Sequence, residues 1–184
     1  MAYNDEAVIK ISTAHFWQAP SGTAAPEDPL NPESPWENIG HTTMENILSM
    51  TSEGGETTVL GSLQNRNLRT SRSAKSSTFN FSIHQFDDEG LKLYLGSNSV
   101  TDSDGRIGPA DSPAPTDTAF YVCIEDGDRY MDFYVPKSDI IGAEDLALAD
   151  TESLSSLPLA VTPLRHASHQ SPYYIGPVQA ITGP

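Results

Sequence analysis

Cysteine is almost missing. Cys123 is the only one in 184 residues, so no intramolecular disulfide can form, and such usage fits a reducing compartment. Cations are scarce as well. Ten Lys and Arg stand against 25 Asp and Glu, a net charge of −15, whereas duplex binding through phosphates needs clustered cations. No apolar run reaches the length of a membrane span. The opening Met1-Ala-Tyr-Asn-Asp-Glu6 is acidic, unlike a secretory signal. Gly-x-Ser-x-Gly, the phosphate loop and the dinucleotide fingerprint are absent.

The remaining chemistry-bearing groups do not assemble into a site. The five histidines lack any usual zinc spacing, so neither a metal nor another cofactor is expected. Asp102-Ser-Asp104-Gly105 resembles the middle of an EF-hand loop, but Val100 falls where the first carboxylate belongs, and a solvated turn is expected. The pairs Asp87-Asp88, Glu125-Asp126 and Glu144-Asp145 read as solvated turn carboxylates, without the desolvation a general acid needs. Cys123 has no basic neighbour on its strand to activate it. An enzyme is therefore not expected.

What is present points to a mainly β chain. A length of 184 residues suits one domain. Fourteen prolines and thirteen glycines favour turns over long helices. Ala7–Gln18 reads as a strand, and Ala19–Pro35, with five prolines, as a long loop. Glu53-Gly-Gly-Glu56 is a turn and Thr57–Gln64 a strand. Phe79, Phe81 and Ile83 alternate with polar residues across a strand at Ser77–Gln85. One short helix is expected over about 87–95, capped by Asp87, ended by Gly96, with Leu91, Tyr94 and Leu95 on its inner face. Ser97–Thr118 reads as a second long loop (97–118).

Ala119–Val135 has the clearest alternation of a hairpin. Phe120, Val122, Ile124, Met131, Phe133 and Val135 share the buried face. Asp126-Gly127 would form the two-residue type I′ turn. Tyr121, Asp132 and Tyr134 would face outward, to a neighbour or a lumen. Leu157–Arg165 alternates too, but Pro158 and Pro163 suggest an edge strand. The tail, 167–184, is weakly patterned and expected to order against a neighbour. Six or seven strands with one helix imply a β-sandwich or partial barrel.

Charge is unevenly spread. From Thr57 to Phe86 there is no Asp or Glu, yet Arg66, Arg69, Arg72 and Lys75 fall there. A chain carrying its own opposite-sign partner can associate with copies of itself, so these four are candidate subunit contacts. A solvated charge run is the competing reading.

The segment Trp36–Arg69 adds an ordered series: Trp36, then Ile39-Gly40-His41-Thr42, then Glu53-Gly54-Gly55, then Leu60-Gly61 through Gln64 to Leu68-Arg69. With Thr13-Ala-His15-Phe-Trp17 upstream, and Phe79-x-Phe81-x-Ile83-x-Gln85-x-Asp87 and Leu93-Tyr94-x-Gly96-Ser97 downstream, this resembles the tail tube proteins (major tail subunits) of siphophages of actinobacteria. The likeness covers most of residues 7–165. It implies hexameric rings whose strands join into one ring barrel, with the 119–135 hairpin (Phe120, Val122, Ile124, Asp126, Gly127, Phe133) as part of it. It implies rings stacked around a tape-measure protein, tail terminator and distal tail proteins as partners, and DNA passing without specific binding. It places the protein in the virion tail, after assembly in the host cytoplasm, with no membrane role. An added C-terminal immunoglobulin-like domain, carried by some relatives, is not expected. The alternative is a monomeric β-sandwich module that binds carbohydrate through Trp17, Trp36, Tyr173 and Tyr174.

Overall fold

A computed structural model describes residues 3–146, 148–149 and 151–181. The last three residues of the expected tail, 182–184, lie outside the described residues. After a short 3-10 turn at Asp5–Ala7 come β1 (Thr13–Pro20), β2 (Glu37–Asn38), β3 (Ser49–Gly54), β4 (Thr57–Leu60), β5 (Arg69–Arg72) and β6 (Lys75–Ile83). The helix α1 (Asp88–Leu95) follows, then β7 (Val100–Thr101), β8 (Ile107–Gly108), β9 (Thr116–Asp126) and β10 (Arg129–Gly142). β11 (Leu157–Pro163), β12 (Tyr174–Ile175) and β13 (Gln179–Ala180) complete the order. The expected mainly β fold with one helix is present.

The main sheet is antiparallel and runs β2-β1-β9-β10-β11-β6-β3, with β12 and β13 also paired to β10. It does not close into a barrel, but it curls hard. Phe16 on β1 stacks on Phe81 of β6 with ring centroids 4.9 Å apart, although β9, β10 and β11 lie between those strands in the hydrogen-bonded order. Both rings also meet Phe120 from β9. The alternating residues Phe79, Phe81, Ile83, Phe120, Val122, Leu157, Leu159 and Val161 fill the space so enclosed. Period-two alternation puts one row of side chains on one face, and here that face is the inside of the curl.

Asp87 caps α1 as expected, its carboxylate accepting from the Gly90 amide at 2.9 Å. Leu93 is the most deeply buried side chain of the helix, however, and Leu91 and Tyr94 only flank the core. The long strand β10 is interrupted between Val135 and Ser138, where the register with β9 shifts in the manner of a bulge that bends its strand.

β11 is not an edge strand. It lies between β10 and β6, and the staggered ladders explain how its prolines fit. Leu157–Val161 pair with β6, while Leu159–Pro163 pair with β10. Pro158 and Pro163 thus each sit where only one neighbour pairs, so neither missing N–H breaks a double ladder.

The hairpin pairs Ile124 with Met131, Val122 with Phe133 and Phe120 with Val135, the face assignment expected from alternation. Its turn differs. Asp126 pairs with Arg129, so the loop residues are Gly127 and Asp128. Gly127 has φ 63°, and among the described non-glycine residues only Asn46 has a positive φ. That sign pattern belongs to a type II′ turn, with glycine first, rather than type I′. Gly127→Val meets no steric obstacle, since nothing lies within 4 Å of a Cβ there. The expected loss is therefore conformational, at least about 1–2 kcal/mol, read as a lowered urea midpoint. An unchanged midpoint would show that the turn is not strained by a side chain.

The other face of the hairpin is covered, contrary to expectation. Tyr121 and Cys123 are fully buried and Tyr134 nearly so, because the 21–36 loop folds over them. Trp36 packs on Tyr121 at 5.8 Å, and the Tyr134 hydroxyl donates to the Thr23 carbonyl at 2.7 Å. From the other side Tyr174 stacks on Tyr134. The tail also docks on its own chain: β12 and β13 pair with β10, and Tyr173 packs edge-on against Phe79. The 97–118 loop carries the small β7–β8 ladder.

Candidate functional site

The most unusual part of the molecule is a two-stranded arm. β3 and β6 pair down to Gly54 and Lys75. The ladder continues through Gly55 N–H to the Ala74 carbonyl (3.2 Å) and Ser73 N–H to the Glu56 carbonyl (3.0 Å) into the β4–β5 pair, Thr57–Leu60 against Arg72–Arg69. Gly54 (φ 82°) and Gly55 (φ 75°) set the joint. A Cβ at Gly54 would strike the Ala74 carbonyl, so glycine is required there. Every residue from Ser49 to Ser76 is exposed. A lone two-stranded hairpin is marginally stable in water. This one also displays Val59, Leu60, Leu63 and Leu68.

The basic run lies on this arm. Arg66 is in its tip loop, Arg69 and Arg72 are the ends of β5, and Lys75 begins β6. Arg69 and Arg72 are an odd number of residues apart, so they point to opposite faces. Arg72 Nε donates to Thr57 Oγ1 at 3.1 Å. Among the described residues none of the four cations forms an ion pair with an acid of its own chain. The charge was visible in sequence, but β5 was not.

The Ile39-Gly40-His41-Thr42 motif has a structural task. It straps β1 to β6 across the open side of the curl. Ile39 N–H donates to the Phe16 carbonyl (2.9 Å) and His84 N–H to the His41 carbonyl (2.7 Å), while Thr42 bridges Ile83. Gln85 extends the strap. Its Oε1 accepts from His41 N–H at 2.8 Å and its Nε2 donates to the Asp87 carboxylate at 2.8 Å, the same carboxylate that caps α1. The resemblance motifs at 39–42 and 85–87 therefore meet in space and tie helix, strap and sheet together.

Other candidates resolve into local structure. The Asp102 carboxylate accepts from the Asp104 and Arg106 amides, and Arg106 reaches Asp104 at 3.1 Å, a self-satisfied turn. His15 meets Glu125 at 2.6 Å, His84 the Ser155 carbonyl and His166 the Ser168 hydroxyl. Among the described residues no three or more His, Cys, Asp or Glu gather to hold a metal, and no helix is long and apolar enough to cross a membrane. Burial, reinforced by Glu125 and Asp132, pushes the Cys123 thiol up to about 12, which makes it unreactive. Two of the four aromatics of the carbohydrate reading are not free to stack on a sugar: Trp36 is buried, its indole N–H donating to the Ala24 carbonyl, and Tyr173 lies against Phe79.

Known proteins give this geometry a context. The profile of the phage tail tube protein family matches residues 1–180. The major tail protein Gp23 of Mycobacterium phage L5 is 30% identical over 179 residues, covering 90% of this chain and 89% of that protein. The major tail protein Gp23 of Mycobacterium phage D29 matches with the same identity and coverage.

Proposed function

Because the chain belongs to the phage tail tube protein family, with its place in the tail of the virion, we propose that its copies close into hexameric rings and that the rings stack into the tube through which DNA leaves. The observation that carries this reading is the exposed arm, which among the described residues packs against nothing beyond the β3–β6 stem. An arm of this kind gains order by docking on another copy. The outer edge of β3 is unpaired as well, and joining such edges around a ring removes an aggregation hazard. In that ring the β9–β10 hairpin forms the middle of each subunit's sheet, and the joins fall at the edges. A tape-measure protein occupies the lumen, while terminator and distal tail proteins cap the tube. The net charge of −15 repels phosphate, so DNA slides rather than binds. Assembly takes place in the host cytoplasm.

Negative-stain microscopy of the purified protein at high concentration tests this. Rings and tubes are expected, and a strictly monomeric sedimentation profile across concentration and salt overturns it. The basic arm gives a second expectation. Arg66→Glu with Arg69→Glu should slow tube growth about tenfold or more, since interface charge acts mainly on association rate. The monomer's melting should be unchanged, and added salt should slow the unaltered protein in the same direction. Unaltered growth in the double variant would return these residues to a solvated run.

A further inference from the structure

We infer that the arm of one copy docks onto the loop 143–156 of a second copy, a head-to-tail contact that sets the polarity of the tube. The inference rests on the tube reading above and names the arm's receptor.

The loop complements the arm in two independent ways. First, charge: from 143 to 156 there is no Lys or Arg but four Asp and Glu, opposite to the acid-free window that holds Arg66, Arg69, Arg72 and Lys75. Second, apolar exposure: Leu146, Leu148 and Leu154 are 44%, 73% and 75% exposed, and on the arm Leu63 is 99% and Leu68 59% exposed. Leucines displayed together beside charge mark contact surfaces. Two other acidic stretches lack this combination. Asp5 and Glu6 have cations beside them, with Arg129 donating to the Glu6 carbonyl. In the 21–36 loop Leu30 packs into the second core cluster.

Position makes the contact intermolecular. β6 leaves the arm at Lys75 and ends at Ile83, opposite Leu157, where the loop rejoins the sheet. The loop is fixed at that end. The Tyr94 hydroxyl donates to the Glu144 carbonyl at 2.8 Å, and His84 Nδ1 lies 2.9 Å from the Ser155 carbonyl. A strand rises roughly 3.3 Å per residue, so the length of β6 alone separates arm base and loop by on the order of 25 Å. The arm extends away from the loop, so no chain can satisfy its own arm. Two complementary surfaces at opposite poles make a heterologous contact that repeats without closing, which is the geometry of stacking rather than of ring closure.

Charge reversal with rescue tests this. Arg66→Glu/Arg69→Glu and Glu144→Lys/Asp145→Lys are made separately and then combined in one chain, with tube growth followed by turbidity and microscopy and folding by circular dichroism. Each reversal alone should slow tubes about tenfold or more, leaving rings. The combined chain should recover to within about threefold of the unaltered protein, because the coupling of a true pair is regained. Independently, Leu63→Cys with Leu148→Cys in one chain should give an oxidation ladder of multiples, while either cysteine alone gives none, since the native Cys123 is buried. Failure of rescue, absence of the ladder, or normal growth of a single reversal overturns the inference while unaltered tubes keep the tube reading. Absence of tubes in the unaltered protein overturns both.

Discussion

Deleting Glu56–Ser73 and joining Gly55 to Ala74 is expected to abolish tube formation while leaving a folded subunit. The two junction residues are already bonded, Gly55 N–H to the Ala74 carbonyl at 3.2 Å, and Gly54 pairs with Lys75. The shortened chain therefore closes as a two-residue hairpin, a length that β-hairpins favour. All residues removed are exposed, so no core is lost, and the melting temperature should stay within about 3 °C of the unaltered protein. Circular dichroism melts and negative stain check the two halves of the expectation. Normal tubes from the armless chain would show that stacking runs through other surfaces. A collapse of the melt would show that the arm belongs to the subunit's own stability.

The opposite dissociation is expected for Phe81→Ala. Phe81 is 3% exposed and lies between Phe16 and Phe120, at 4.9 and 5.4 Å. Removing it opens a cavity where the two ends of the curled sheet meet. A buried Phe→Ala change costs about 3–5 kcal/mol, a large share of the roughly 5–15 kcal/mol that holds a domain folded. Urea unfolding should show the unfolding free energy falling by that amount, with a lower midpoint, and soluble yield should drop. A loss below about 1 kcal/mol would mean that the sheet keeps its curl without this stack.

The parts of the fold legible in sequence were those with one wet and one dry side. Phe79, Phe81 and Ile83 on β6, and Phe120, Val122 and Ile124 on β9, announced their strands because the curl buries alternate residues. Asp87 and Gly96 announced α1 through cap chemistry that is local to the chain. β5 gave no such signal. Arg69-Thr-Ser-Arg72 is exposed on both faces, so nothing selects an alternating pattern. The outward assignment of Tyr121 and Tyr134 failed for a different reason. Composition marks a proline-rich loop, whereas its cover of the sheet depends on Trp36 reaching Tyr121 across long sequence separation. The turn slipped by one residue because Asp126 and Asp128 both flank Gly127, and only the pairing of Asp126 with Arg129 decides between them. Of the candidate site, the cations were legible and their setting was not. Charge shows in composition, but an arm is a statement about what a segment fails to touch.

The pairing of β1 with β9 also sets a clock. Thr13 lies opposite Glu125 and Pro20 opposite Thr118, so beyond the two-residue pairing with β2 the first strand lacks its long partner until well over half of the chain has left the ribosome. At about 5–20 residues per second that wait lasts several seconds, during which Phe16 and Trp17 are unsheltered. Sheets built from such distant pairings fold in roughly milliseconds to seconds. The arm, whose strands are separated only by a short loop, can zip and unzip within microseconds. The subunit thus has a slow, irreducibly non-local core, and keeps the fast, local element as the part that responds to a neighbour.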